Sequence, residues 1–137
     1  MRKSRIVATF DTDIQNVWSI VTNNKDYKWR SDLSNIEITD DKHFTEYTKN
    51  GYATDFTIQV KEEYRRYEFD MKNKNMTGHW TGLFSETENG GTKIDFIEEI
   101  HIKNPILSML SYIFMNLKKM QETYVEDLRK KCLELRK

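Results

Sequence analysis

The chain ends with NPILSMLSYIFMNLKKMQETYVEDLRKKCLELRK, residues 104–137. Asn104 suits a helix N-cap, and Pro105, the only proline in the sequence, suits the first helical position. Apolar residues then recur every three or four positions for about eight turns. They are Ile106, Leu110, Ile113, Leu117, Met120, Tyr124, Leu128, Cys132 and Leu135. This spacing predicts one long helix with a single apolar face.

The sequence before this helix has the alternating pattern of β-strands. From Leu33 onward apolar and polar residues alternate, and turn signals such as Asn50-Gly51 separate the runs. The pattern predicts six consecutive strands, and residues 6–10 predict one more near the N-terminus. A coiled coil is the alternative use of the long helix. Because six strands need a cover for their apolar face, we expect the helix to pack on them instead.

Two short helices are predicted after the first strand. Thr12 and Gln15 have the spacing of a capping box, and an apolar helical face follows them. A second short helix or turn is expected over residues 25–29. The predicted fold class is therefore α+β, with a seven-stranded curved antiparallel sheet wrapped around a long C-terminal helix. We expect residues 1–137 to form a single domain.

The composition excludes several classes of protein. The sequence has 22 basic and 22 acidic side chains, and this balance argues against bulk attraction to nucleic acid. One cysteine, Cys132, cannot form an internal disulfide, which favours a reducing, cytoplasmic location. No secretory or transmembrane segment is visible. The three histidines are scattered without metal-ligand spacing, so neither a metal nor a cofactor is expected.

Four stretches, in order, carry a family resemblance. The first strand runs into Val17-Trp18, Trp29 precedes the second strand, residues 90–94 read Gly-Gly-Thr-Lys-Ile before the last strand, and the long helix follows. Together they resemble the START-related superfamily (SRPBCC), and in particular its polyketide cyclase/dehydrase-like helix-grip proteins. The chain departs from the plant-allergen branch, because Asp40-Asp41-Lys42 stands in place of that branch's glycine-rich loop.

This resemblance implies a ligand pocket between the sheet and the helix, although the same apolar residues could fill a solid core. On the sheet, strand alternation predicts as lining residues Phe56, Ile58, Val60, Tyr67, Phe69, Met71, Ile94, Phe96 and Ile100. On the helix the expected lining residues are Met109, Ile113, Leu117 and Met120.

Glu98 is the most informative polar residue. It shares a strand face with Phe96 and Ile100, so a regular strand would point its carboxylate inward, where burial raises a pKa. His79 is the second candidate. An even-length hairpin loop before the last strand would turn His79 inward, whereas an odd loop would turn Trp80 inward instead, and the sequence does not decide between them.

The leading functional interpretation is binding of a small hydrophobic ligand, such as a lipid, an isoprenoid or a polyketide-like molecule. The alternative is a cyclase/dehydratase-type enzyme that uses Glu98 with His79 or a tyrosine as acid–base groups. A third possibility follows from the apolar start of the long helix. More apolar residues stand there than one packed face needs, so Leu107, Phe114 and Met115 are expected to contact a membrane surface or a second copy of the chain.

Overall fold

The computed structural model describes residues 1–114 and 116–135, without the side chains of residues 111–114. All neighbouring strands are antiparallel, and the spatial order is β1-β7-β6-β5-β4-β3-β2. The strands are β1 (Arg2–Phe10), β2 (Leu33–Ile38), β3 (His43–Thr48), β4 (Ala53–Glu62), β5 (Arg66–Lys72), β6 (Met76–Glu86) and β7 (Thr92–Ile102). The helices are α1 (Ile14–Thr22), α2 (Pro105–Phe114) and α3 (Leu117–Leu135). The seven-stranded curved sheet and the long C-terminal helix confirm the predicted α+β fold.

The helix after β1 begins one residue later than its expected capping box. Asp13, not Thr12, is the N-cap, and its side chain accepts a hydrogen bond from the backbone N–H of Asn16 at 2.8 Å. Thr12 is buried instead, and its carbonyl accepts a hydrogen bond from the hydroxyl of Thr92. The apolar face of α1 then packs into the core, as its spacing predicted.

Over residues 25–29, where a short helix or a turn was expected, the chain forms turns rather than a second helix. Residues 23–32 make a series of turns, in which the N–H of Arg30 bonds to the carbonyl of Tyr27 at 2.9 Å. Asp127 on α3 fixes the end of this segment, because its carboxylate accepts hydrogen bonds from both the N–H and the hydroxyl of Ser31 at 2.8 Å. We call residues 23–32 the turn segment.

The C-terminal helical region is divided into two helices. Asn116 caps α3, since its side chain accepts a hydrogen bond from the N–H of Lys119 at 3.0 Å. The single helix expected from Pro105 onward is therefore replaced by α2 and α3. Cys132 lies buried on α3 as a small core residue. Among the described residues, none of the helices combines the length and the apolarity needed to cross a bilayer.

Two details of strand register determine which side chains face the helix. The loop between β6 and β7 is odd in length, because Glu86 pairs with Thr92, and Trp80 therefore lies directly opposite Glu98. A bulge in β4 between Ile58 and Val60 places Val60 opposite Glu68, on the outer face of the sheet. Trp80 and Glu98 therefore lie on the inner face of the sheet, whereas Val60 lies on the outer face.

Candidate functional site

A cavity of about 380 Å³ lies between the inner face of the sheet, the turn segment and α3. Aromatic rings make much of its wall, with polar groups near the turn segment. Its lining residues are Val21, Asn24, Arg30, Asp32, Leu33, Phe44, Glu46, Thr48, Thr54, Phe56, Tyr67, Phe69, Met71, Met76, Trp80, Phe96, Glu98, Met120, Gln121, Thr123 and Tyr124. A volume of this size falls within the range of small-molecule sites.

The cavity brings together six of the thirteen predicted lining residues, and Glu98 as well. Those that line it are Phe56, Tyr67, Phe69, Met71, Phe96, Glu98 and Met120. Ile94, Ile100 and Leu117 are buried elsewhere, and Ile58 packs against the core. Met109 is 69% exposed on α2, so its predicted lining position was wrong, as was that of Val60. The side chain of Ile113 lies outside the described residues.

Trp80 forms a fixed aromatic wall beside Glu98. Its ring stacks on Phe69 with centroids 4.8 Å apart, and its centroid lies 4.7 Å from that of Phe96. Gly82 provides the space for this indole, because a Cβ built at Gly82 would lie 2.5 Å from the ring. The position of Trp80 is therefore set by packing on three sides.

Arg30 is the only cation among the lining residues of the described cavity, and two carboxylates hold it. Its Nη1 donates to Glu46 at 3.1 Å, while its Nε and Nη2 donate to Asp32 at 3.2 and 2.9 Å. The guanidinium also lies 4.9 Å from the centroid of the Tyr124 ring. Burial alone would lower the pKa of Arg30, but attraction to Glu46 and Asp32 outweighs it and holds the pKa above its usual value.

Glu98 faces the cavity without a partner. It is partly exposed, and within the described part of the chain its carboxylate makes no hydrogen bond or ion pair. Burial raises its pKa to about 7, repulsion from Glu46 adds to the rise, and Arg30 opposes it. Glu98 therefore faces the cavity, which is the orientation that strand alternation predicts.

Two tyrosines add hydroxyl groups to the same space. The hydroxyl of Tyr67 is buried and has no hydrogen-bond partner of standard geometry in the described structure. Burial raises the pKa of Tyr67 to about 12, against a smaller opposing effect of the Asn24 side chain. Burial likewise raises the pKa of Tyr124, on α3. Both hydroxyls therefore stay protonated at neutral pH and can donate to a ligand.

His79 does not belong to this site. It lies on the outer face of the sheet, with Nδ1 2.6 Å from Asp70 and Nε2 2.7 Å from Glu68. Burial would lower its pKa, but the hydrogen bonds to Asp70 and Glu68 raise it. The pairing of His79 with Glu98 as acid–base groups is thus wrong, because the odd hairpin loop turns them to opposite faces.

Sequence reasoning missed Arg30, Glu46 and Tyr124. Glu46 could have been found, since it shares a strand face with Phe44, as Glu98 does with Phe96. Arg30 lies in the turn segment, where no periodic pattern indicates direction. The described residues contain no group of three or more side chains suited to hold a metal ion.

Comparisons with known proteins identify solved structures with a similar fold. No family model matches the sequence, and no curated protein matches it. A conserved protein from Geobacillus kaustophilus superposes with a TM-score of 0.82 at 8% identity, covering 97% of this chain and 96% of that one. A START superfamily protein from Mycobacterium smegmatis gives a TM-score of 0.77 at 11% identity, covering 97% and 98%.

A third similar structure is the di-domain ARO/CYC protein BexL of the BE-7585A biosynthetic pathway. It gives a TM-score of 0.75 at 10% identity and covers 95% of this chain but 46% of its own. The likeness thus spans about half of BexL. With the order of strands and helices described above, these structures show that the chain has a helix-grip fold similar to that of the START superfamily protein.

Proposed function

We propose that the protein, as one helix-grip domain over residues 1–137, binds a small hydrophobic ligand in the cavity between the sheet and α3. The observation that carries this proposal is an open volume of about 380 Å³ with aromatic walls. Two polar groups in it, Glu98 and the hydroxyl of Tyr67, have no hydrogen-bond partner of standard geometry among the described residues. In a core that served only for packing, side chains would fill this volume and both polar groups would have hydrogen-bond partners. The ligand therefore has an apolar body and at least one polar group.

Filling the cavity should weaken binding of a neutral apolar dye. Thr54 lies on the inner face of β4 and lines the cavity. We expect Thr54→Trp to weaken the binding of Nile red by about tenfold or more, which corresponds to about 1.4 kcal/mol, because the indole would occupy ligand space. Fluorescence titration measures the dissociation constant.

The matched control for this dye experiment is Thr57→Trp, which adds the same indole to the same strand on its outer face. We expect its affinity for Nile red to stay within about twofold of the wild type, with both variants shown to be folded by circular dichroism. Unchanged binding in a folded Thr54→Trp variant would place the dye elsewhere and count against the cavity.

A second candidate function is catalysis of the cyclase/dehydratase type. It is favoured by the position of the Glu98 carboxyl group in the cavity, where burial raises its pKa to about 7, because such a group can both donate and accept protons at neutral pH. The partner group would be Tyr67, since His79 faces away. A ligand recovered from the protein with its covalent structure changed would favour catalysis, and one recovered intact would favour binding.

A third candidate is a membrane contact through α2. Ile106 and Met109 are 68% and 69% exposed, and Leu107 and Leu110 are each 40% exposed. Of the residues predicted for this contact, Leu107 is exposed as expected, whereas the side chain of Phe114 and all of Met115 lie outside the described residues. The exposed lysines 118 and 119 at the start of α3 would suit an anionic lipid surface better than a second copy of the chain.

Vesicle flotation tests this contact. We expect the wild type to float with phosphatidylcholine/phosphatidylserine vesicles, and Ile106→Ser to reduce the floating fraction by at least about half, because a buried apolar side chain contributes about 1.5–3 kcal/mol. Ile38→Ser is the control, since Ile38 is 44% exposed at the edge strand β2, far from α2 in strand order. Equal flotation of both variants, or none of the wild type, would contradict the membrane contact.

A further inference from the structure

The charged groups of the cavity are unbalanced. The lining holds one basic residue, Arg30, and three acidic ones, Asp32, Glu46 and Glu98. Because Nε, Nη1 and Nη2 of Arg30 all donate to Asp32 or Glu46, its charge is neutralised before any ligand enters. Among the described lining residues no other cation remains to attract an anion. The cavity therefore carries a net negative charge.

The surroundings of Glu98 are aromatic. Trp80 lies directly across from it on β6, and Phe96 precedes it on the same face of β7. A carboxylate forms its strongest hydrogen bonds with a charged donor, and the aromatic walls beside it offer an apolar surface to the rest of a ligand. A carboxylate that lines an aromatic cavity, and that has no hydrogen-bond partner among the described residues, is an arrangement that suits an ammonium group.

From the charges and the lining of the cavity we infer that the ligand carries a protonated amine on an apolar body, and that its ammonium group binds Glu98 while the apolar body contacts the aromatic walls. This inference rests on the proposed ligand-binding function and narrows it to a chemical class. A fatty acid is disfavoured, because its carboxylate would meet the negative charges of Glu98 and Glu46 while Arg30 is already occupied.

Amine binding should depend on pH through Glu98. The titratable groups that face it are Arg30 and Asp32 from the turn segment, Glu46 from β3, Tyr67 from β5 and Tyr124 from α3. Its neighbours Ser4 on β1 and Trp80 on β6 do not titrate. With a pKa of about 7, the ionised fraction of Glu98 rises about tenfold between pH 6 and pH 8, while an alkylamine stays protonated throughout.

Three probes with the same chain and different end groups test the inference: decylamine, decanol and decanoate. Isothermal titration calorimetry gives their dissociation constants at pH 6 and pH 8. We expect decylamine to bind the wild type at least about tenfold more tightly than decanoate at pH 8. Its affinity should also rise by about tenfold from pH 6 to pH 8, whereas that of decanol should not change.

Glu98→Gln should remove both the pH dependence and the preference for decylamine, and leave decanol within about threefold. Glu99→Gln is the matched control, since it removes the same charge from the outer face one residue away. Decanoate binding as tightly as decylamine, or decylamine binding unaffected by Glu98→Gln, would overturn the amine inference while decanol binding still supported the cavity. If none of the three probes bound, the proposed ligand-binding function would fall as well.

Discussion

Replacing Glu98 by glutamine is expected to stabilise the protein at alkaline pH by about 3 kcal/mol. The pKa of Glu98 is about 7 in the folded protein and 4.5 in its ordinary state, so folding disfavours the ionised form. Each unit of difference corresponds to about 1.4 kcal/mol. The free energy of unfolding of the wild type therefore falls as the pH rises towards about 7. The glutamine in Glu98→Gln cannot ionise, so the variant does not lose this free energy.

The size of the gain should follow pH. Between the wild type and Glu98→Gln we expect a difference in the free energy of unfolding of about 1 kcal/mol at pH 5 and about 3 kcal/mol at pH 8. Urea denaturation at both values measures it. The raised pKa of His79 also lowers the free energy of unfolding as pH rises. Because both proteins contain His79, its contribution cancels when their free energies of unfolding are subtracted.

Glu99→Gln serves as the control here too, because it removes a charge from the same strand on the opposite face. A gain that did not grow with pH, or that was equal in Glu99→Gln, would show that Glu98 is not the group responsible. A carboxylate that lowers stability contributes nothing to the fold. Such a group is expected where a site needs a charge that the ligand will pair.

The fold could be read from the sequence because its signals are periodic. The alternation of apolar and polar residues in β4 to β7 predicts the sheet, and the three-four spacing of apolar residues in α3 predicts the helix that covers it. The same alternation predicted that Glu98 faces the cavity. Asn116 carried a capping signal that would have divided the C-terminal helix, but the continuous apolar spacing concealed it.

The errors at the site arise where a single residue changes the register. One additional residue in β4 turned Val60 outward, and the odd loop before β7 turned Trp80 inward and His79 outward. The bulge in β4 leaves no mark in local composition, whereas the sequence had left both registers of the hairpin before β7 open. Arg30 was missed for another reason: the turn segment that carries it is positioned by a contact with Asp127, almost a hundred residues later in the sequence.

Removing the positive charge of Arg30 should destabilise the protein, whereas removing the negative charge of Glu98 should stabilise it. We expect Arg30→Gln to lower the free energy of unfolding by about 3 kcal/mol, because it leaves Glu46 without a counterion in a largely buried position. The Arg30 and Glu46 side chains are 14% and 15% exposed. The pKa of Glu98 should also move above its present value of about 7, since attraction to Arg30 now holds it down. Urea denaturation and NMR titration of Glu98 measure the two effects.

Three further variants separate charge from geometry. Arg30→Lys should recover only part of the loss, because one ammonium cannot replace the three guanidinium nitrogens that donate to Asp32 and Glu46. Glu46→Gln added to Arg30→Gln should recover more, since it removes the unpaired charge itself. Arg66→Gln is the control on the outer face, where Arg66 bonds to Glu68 but is 47% exposed, and it should cost less than about 1 kcal/mol. If Arg30→Gln cost no more than Arg66→Gln, the Arg30–Glu46 pair would be too well solvated to organise the cavity, and the negative field inferred for the ligand site would have to be weaker than its charges indicate.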